Sequence, residues 1–230
     1  MRTYPRSHTA NLPSFLAPAH DLPSEKEGEE SASIRRKFLF KNEPDPYMTD
    51  VIRAMRLIRG GRRYVEVGTY DKGCLAYVST LLAKDALLID VDMETRPENT
   101  RRLSEFIRQE QILSTIIGDS TDPTTLQRVA TALCGELADA VFIDGNHVAT
   151  FAWADYCNYL EFVKPGGLIF FHDVYWEGTV ESYGVSKAME WIDRLNPVYV
   201  VLGEHPVHRF FPMMEKNVTV WGGVGIVRNT

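Results

Sequence analysis

Residues 64–73 read YVEVGTYDKG, and this stretch indicates a strand, a turn and the start of a helix. The apolar run 64–67 is typical of a buried strand, and the glycines after it are typical of a turn that leads into a helix. Gly68 allows the turn to approach a ligand closely, and Gly73 opens the helix that we expect over about 74–82. The spacing G-x-x-x-x-G differs from the G-x-G-x-x-G of dinucleotide-binding turns and from a phosphate-binding P-loop.

Apolar runs alternate with amphipathic segments along the rest of the chain. The predicted strands cover residues 64–67, 87–91, 115–117, 140–143, 168–171, 198–202 and 218–227. The first predicted helix follows an N-cap at Thr49-Asp50 and ends before Gly60-Gly61. The other predicted helices cover 74–82, 99–109, 124–132, 150–162 and 185–195. Continuous apolar strands that alternate with helices of this length indicate an α/β fold, with a mostly parallel sheet and helices on both faces.

Composition bounds the class of protein. The chain has 230 residues, of which 44% are hydrophobic, so we expect one globular domain over 34–230. Residues 1–33 are rich in Pro, Ser and Glu without an apolar period, which predicts a flexible N-terminal arm. The net charge of −6 argues against a nucleic-acid partner, and no apolar stretch is long enough for a membrane span. Three cysteines without metal spacing and the lack of a secretory signal predict a cytoplasmic protein.

Polar residues follow the predicted strands, at the sheet edge where open α/β sheets bind ligands. Asp90 follows Gly68 by roughly 20 residues, the spacing at which an acidic side chain accepts hydrogen bonds from ribose hydroxyls. This pair of residues favours an adenosine-containing ligand, although a plain turn and a helix cap would explain the same residues. A nicotinamide oxidoreductase is the nearest rival, but its first turn would prefer three glycines.

Five runs follow one another at predicted strand ends: EVGTYDKG, LLIDVD, IIGDS, VFIDGNH and KPGGLIFFHD. Together they resemble the class I S-adenosylmethionine-dependent methyltransferases over about residues 47–227. The resemblance implies a Rossmann-like, doubly wound, seven-stranded sheet whose last strand is antiparallel. It also implies that S-adenosylmethionine is the cofactor. The implied cofactor-binding residues are Glu66 and Gly68 for the amino-acid portion, Asp90 for the ribose, Asp119 and Ser120 for the adenine, and Thr69, Tyr70, Gly73, Asp92 and Asp144 around them. Asp92 either shares the ribose or is solvated.

A second group of polar residues follows the fourth and fifth predicted strands. Asp144 and His147 follow one strand, and His172 and Asp173 follow its neighbour, so all four are expected at the same rim. Two carboxylates there repel each other unless a cation or a proton lies between them. Magnesium suits such a place, and a metal-bound hydroxyl loses its proton more easily. His147 lies close enough to Asp144 to act as a general base near neutral pH.

This group resembles the metal-dependent O-methyltransferases of the catechol and macrocin types. The resemblance implies that Asp144 and Asp173 bind a metal and that His147 and Asp144 take part in catalysis. His172 stands where these families usually have a carboxylate. It could complete the metal site and favour a softer ion such as manganese, iron or zinc over magnesium, or act as a second acid or base without a metal.

The predicted function is therefore O-methylation of a hydroxyl on a small molecule, such as a natural-product phenol or a sugar. A metal-free O- or N-methyltransferase and a cofactor-binding protein without transfer activity remain alternatives, and a homodimer is left open. Tyr175 and Trp176 are the preferred aromatic walls of an acceptor pocket, whereas Trp153 is expected in the core. Other residues considered for this pocket are Tyr70, Tyr183, His205, Pro206 and His208.

Overall fold

The computed structural model describes residues 48–94, 96–179, 182–201, 207–211, 216–220 and 222–230. The helices are α1 (Met48–Met55), α2 (Gly73–Leu81), α3 (Pro97–Phe106), α4 (Pro123–Leu133), α5 (Ala149–Leu160) and α6 (Val185–Ile192), with a short 3-10 helix at Arg56–Ile58. The strands are β1 (Arg63–Val67), β2 (Leu87–Asp92), β3 (Ile112–Ile117), β4 (Ala138–Ile143), β5 (Val163–His172), β6 (Val198–Val201), β7 (Val207–Phe211), β8 (Lys216–Val220) and β9 (Val224–Arg228). The predicted arm at 1–33 and the candidates His205 and Pro206 lie outside the described residues.

Seven strands form the main sheet, in the order β3-β2-β1-β4-β5-β9-β6. The strands β1 to β5 are parallel to their neighbours, whereas β9 is antiparallel to both β5 and β6. The predicted α/β fold with an antiparallel last strand is therefore confirmed. Strand order reverses between β1 and β4, and this is the point at which sheets of this type bind ligands beyond the carboxyl ends of their strands.

Helices cover both faces of the sheet, because side chains of each strand alternate between the faces. In β1, Tyr64 packs in the cluster formed with α1 and α2. Its neighbours Val65 and Val67 pack in the opposite cluster, formed with α4, α5 and α6. In the described part of the chain, no helix is both long and apolar enough to cross a bilayer.

Several predicted boundaries differ from the structure, and three of the differences concern the turns and the last strand. The predicted strand 218–227 is divided, since β8 pairs with β7 in a separate hairpin and β9 enters the main sheet. Gly223 lies between them with φ of 81°, a left-handed backbone that ends the extended run. Thr49 and Asp50 lie inside α1 instead of capping it, and the predicted turn at 164–167 is part of β5.

Candidate active site

The turn after β1 lies directly against the turn after β4. Gly68 has φ of 81°, and a Cβ atom there would lie 2.2 Å from the carbonyl oxygen of Asp144. The backbone N–H of Gly68 donates to Val91 at 2.9 Å, and that of Asp144 donates to Val67 at 2.8 Å. Because the two turns touch, only glycine fits at position 68. The predicted cofactor-binding residues and the predicted acceptor-binding residues meet at this contact.

Glu66 is a buried carboxylic acid beneath this contact. Its Oε2 accepts a hydrogen bond of 2.9 Å from the hydroxyl of Tyr64. Burial raises the pKa of Glu66 to about 8, and the nearby charges of Asp144 and Asp90 act in the same direction. A cationic ligand group beside Glu66 would favour the ionised carboxylate.

Asp90 lies below the rim, which the sequence did not predict. It is fully buried, and its Oδ2 lies 2.5 Å from the ammonium nitrogen of Lys72, which is also buried. Its Oδ1 accepts from the hydroxyl of Thr69 at 2.5 Å, and its Oδ2 also accepts from Thr115 at 3.1 Å. These partners occupy the carboxylate that was expected to bind the ribose. Lys72 was not predicted as a site residue. Its position between Gly68 and Gly73, together with the acids Asp90 and Asp92 at the end of the next strand, could have indicated an ion pair.

Asp92 is the last residue of β2 and the more accessible of the two carboxylates. Its Oδ2 accepts from the backbone N–H of Tyr70 at 2.8 Å, and its Oδ1 accepts from that of Glu94 at 2.9 Å. The ring of Tyr70 is exposed, and the guanidinium of Arg96 lies 4.2 Å from its centroid. At this part of the rim, Asp92 is therefore the carboxylate better placed for ligand hydroxyls.

Asp119 and Ser120 lie in the turn after β3. The carboxylate of Asp119 accepts from the backbone N–H and from the hydroxyl of Thr121, each at 2.8 Å, and so closes the turn. The hydroxyl of Ser120 donates to Oδ1 of Asp155 on α5 at 2.6 Å. Asp155 is buried, burial raises its pKa to about 6, and its Oδ2 has no hydrogen-bond partner among the described residues. The sequence analysis missed Asp155.

Two histidines and two aspartates form a compact cluster beyond β4 and β5. Nε2 of His147 lies 2.9 Å from Oδ2 of Asp173 and 3.6 Å from Oδ1 of Asp144. Nδ1 of His172 lies 3.2 Å from Oδ1 of Asp144 and 3.7 Å from Oδ2 of Asp173. The structure thus brings together all four residues that were expected at this rim.

The four charges in this cluster compensate one another. The hydrogen bond to Asp173 raises the pKa of His147. Burial lowers the pKa of His172, but Asp144 and Asp173 outweigh burial and raise this pKa to about 9. Burial likewise raises the pKa of Asp173, but the hydrogen bond to His147 and the charge of His172 give a net lowering. Protonated histidines can therefore balance the carboxylates without another cation.

A divalent metal ion would also fit this cluster. Ligand atoms of Asp144, His147 and Asp173 all lie within 4.8 Å of one another. This set contains His147 where the prediction had His172. Nδ1 of His172 faces Asp144, and its buried Nε2 has no hydrogen-bond partner in the described part of the chain. A metal ion and a proton on His147 would compete for the same two carboxylates.

The aromatic candidates fall into two groups. Trp153, Tyr175 and Trp176 are all half-buried and pack against the same apolar cluster, and the ring centroid of Trp153 lies 6.1 Å from that of Trp191. Tyr183 is exposed beside the start of α5, where its carbonyl accepts from the N–H of Ala149 at 2.8 Å. A small cleft opens on this side and is lined by Ile143, Asp144, Gly145, Asn146, His147, Ala152, Phe171, His172 and Val185.

Residues 65–174 match a methyltransferase domain family, and this range includes the turn after β1, both carboxylates of β2 and the histidine–aspartate cluster. No curated protein matches the chain. This match covers a little under half of the chain, and together with the fold it indicates a methyltransferase domain over these residues.

Several solved structures share this fold. The O-methyltransferase TomG from Streptomyces achromogenes, in complex with SAM, is 15% identical with a TM-score of 0.55, over 90% of this chain and 91% of TomG. The methyltransferase MycE, in complex with Mg, SAH and mycinamycin VI, is 17% identical with a TM-score of 0.55, over 86% of this chain. The match covers 54% of MycE, so this chain spans about half of that protein. An O-methyltransferase from Bacillus cereus, in complex with SAH, is 17% identical with a TM-score of 0.52, over 90% of this chain and 92% of the other.

Proposed function

We propose that the protein transfers the methyl group of S-adenosylmethionine to a hydroxyl of a small molecule, such as a phenol or a sugar of a natural product. One observation carries this proposal. The cluster of His147, Asp173, Asp144 and His172 adjoins the turn that is expected to hold the cofactor, because Gly68 contacts the backbone of Asp144. An acceptor bound at the cluster would lie next to the amino-acid end of the cofactor, where the transferable methyl group is carried.

The cofactor contacts follow from the rim geometry. Glu66, which is buried without a described cationic partner, would accept the ammonium group of the cofactor's amino-acid portion. Asp92 would accept the ribose hydroxyls, in place of Asp90. Asp119 and Ser120 would border the adenine.

His147 would accept the proton of the acceptor hydroxyl. The imidazole tautomer that donates its Nε2–H to Asp173 at 2.9 Å leaves Nδ1 as the basic nitrogen. The hydroxyl oxygen attacks the methyl carbon as its proton passes to Nδ1, and the carbon–sulfur bond breaks to leave S-adenosylhomocysteine. The sulfonium is already activated, so the protein contributes mainly alignment of oxygen, carbon and sulfur.

Asp144 and Asp173 would hold a divalent cation, magnesium or manganese, with the imidazole of His147 within reach. When bound, such an ion lowers the pKa of an acceptor hydroxyl. The charge-balanced cluster also supports the metal-free form of the reaction, so the two forms are to be separated by experiment.

The test is methyl transfer from isotopically labelled S-adenosylmethionine to panels of phenols, hydroxylated sugars and amines, with magnesium, manganese or a chelator. We expect labelled ethers and S-adenosylhomocysteine from wild type and from Cys157→Ser, an exposed control on α5, but not from His147→Ala. Activity that persists in the presence of the chelator would exclude the metal-assisted form of the reaction. If the only labelled products are amines, the protein is an N-methyltransferase and not an O-methyltransferase. If the cofactor binds but no product forms, the protein is a cofactor-binding protein without transfer activity.

A further inference from the structure

A buried lysine pairs with one of the two carboxylates of β2. Asp90 and Asp92 are two residues apart in the strand, so their side chains point to the same face of the sheet. Like charges so close together repel each other unless a cation compensates them. Lys72 provides that cation, since its Nζ lies 2.5 Å from Oδ2 of Asp90 and both groups are buried.

The backbone of Lys72 has a strained conformation. Its φ is 64°, a left-handed conformation in which glycine would be free of strain. The residue lies just before α2, inside the turn that the cofactor is expected to contact. A non-glycine residue in this conformation points to a role for its side chain, and the ion pair with Asp90 supplies that role.

Thr69 connects the buried pair to the rim. Its hydroxyl lies 2.5 Å from Oδ1 of Asp90 and 3.3 Å from Oδ2 of Asp92. The same oxygen accepts a hydrogen bond of 3.1 Å from Nζ of Lys72. The next residue, Tyr70, donates its backbone N–H to Asp92. Contacts from Lys72 and Asp90 therefore reach Asp92 through Thr69.

We propose that Thr69 and Lys72 are positioning residues that fix Asp92 for recognition of the ribose hydroxyls. Asp90 serves as their buried anchor and does not touch the cofactor. This inference rests on the proposed function, because it requires that the ligand is S-adenosylmethionine or its product. Its distinctive consequence is that the protein's preference for ribose over deoxyribose depends on Thr69, a residue that need not contact the sugar.

The test compares two threonines that donate to the same buried carboxylate. Thr69 contacts both Asp90 and Asp92, whereas Thr115 contacts Asp90 at 3.1 Å from the other side. Calorimetric titration would give the affinities of wild type, Thr69→Val and Thr115→Val for S-adenosylhomocysteine and for its 2′-deoxy and 3′-deoxy analogues. We expect wild type to bind at least one analogue about tenfold more weakly, the usual effect of losing a hydrogen bond to a charged group.

In Thr69→Val this deoxy penalty should shrink to about twofold or less, and affinity for the intact product should fall about tenfold. Thr115→Val and the conservative Thr69→Ser should keep the penalty. If Thr69→Val retains the full penalty, if Thr115→Val loses it equally, or if wild type shows none, the inference is overturned. Failure of wild type to bind S-adenosylhomocysteine at all would instead overturn the proposed function, and the inference with it.

Circular dichroism and thermal unfolding would show that each variant is folded. If Thr69→Val does not fold, the double variant Lys72→Met with Asp90→Asn provides the second measurement, because it removes the charges of the buried pair together. We expect this variant also to lose the deoxy penalty. A full penalty in a folded double variant would contradict the role assigned to Lys72.

Discussion

The cofactor side and the acceptor side of the rim handle their charges differently. On the cofactor side, Lys72 and Asp90 are almost completely buried, at 1% and 0% exposure, and the lysine is a permanent part of the site. On the acceptor side, the side chains of His147 and Asp173 are 35% and 17% exposed, and histidines compensate the carboxylates. The first arrangement is an ion pair enclosed by the protein. The second can change its protonation, as a site that removes a proton from a substrate must.

The two sides are joined at one contact, between Gly68 and the backbone of Asp144. The position of the turn after β1 therefore constrains the position of the turn that carries Asp144. Disturbing the contact should damage both, whereas changes within either side should damage one function and spare the other.

Gly68→Ala should have the largest effect. The added Cβ would lie 2.2 Å from Asp144 in a left-handed backbone, so we expect a loss of about 3 kcal/mol or more in the free energy of unfolding. Affinity for S-adenosylhomocysteine should fall with it. The matched control is Gly135→Ala, where φ is 78° but nothing lies within 4 Å of the added atom. That variant should lose only about 1–2 kcal/mol and keep its affinity. Equal losses in urea unfolding would show that the contact is unimportant.

His147→Ala should come next, with an effect confined to the acceptor side. Removal of a general base usually lowers turnover by about 10²- to 10⁴-fold. Affinity for S-adenosylhomocysteine should stay within about threefold of wild type, since turnover differences of this kind come from the transition state. Stopped-point product assays and calorimetry measure the two quantities. A variant that keeps its turnover would remove His147 from the mechanism.

Asp173→Asn should have a smaller effect with a distinctive pH dependence. The hydrogen bond to Asp173 raises the pKa of His147 above 6.5, and only the neutral imidazole can accept a proton. The wild-type rate should therefore rise with pH through a pKa above that value. In Asp173→Asn the rising limb should move to lower pH, while the maximal rate falls about tenfold to hundredfold through loss of orientation. If the rising limb of the pH–rate profile is unchanged in Asp173→Asn, a group other than His147 controls the pH dependence.

Asp155→Asn should have an effect that is seen in stability alone and that depends on pH. Burial raises the pKa of Asp155 from 3.8 to about 6, so the folded protein binds this proton more tightly than the unfolded chain. Wild type therefore loses stability as pH rises from about 4 to 6, and the asparagine variant does not. The variant should match wild type near pH 4 and be more stable by up to about 3 kcal/mol at pH 7.

Asp122→Asn is the control for this measurement, with the opposite sign. Asp122 is an exposed N-cap that accepts from the backbone N–H of Thr124, and this hydrogen bond lowers its pKa. Its contribution is present above the pKa of the unfolded chain and is lost in acid, so its replacement should destabilise the protein at neutral pH. Parallel pH profiles for the two variants would contradict the account of Asp155.

The sequence predicted the sheet and the rim because both depend on short-range patterns. Alternation of strands and helices specifies a parallel sheet, and the carboxyl ends of its strands must then lie together. The sequence did not distinguish the roles of Asp90 and Asp92, because both side chains point to one face of the sheet. Only the burial of Asp90 against Lys72 separates the two. The sequence also grouped His172 with Asp144 and Asp173, whereas in the structure a ligand atom of His147 lies near both carboxylates, since the direction of an imidazole depends on tertiary contacts. Asp155 was missed because an acid in a helix usually faces solvent.

The most direct test of whether the turn after β1 binds S-adenosylmethionine is a calorimetric titration of wild type with S-adenosylhomocysteine, with NAD as the control ligand. We predict micromolar or tighter binding of S-adenosylhomocysteine, weakened in Asp92→Asn, and no binding of NAD. Binding of NAD alone would contradict the account, because the turn after β1 would then serve a nicotinamide cofactor and the histidine–aspartate cluster would need another explanation.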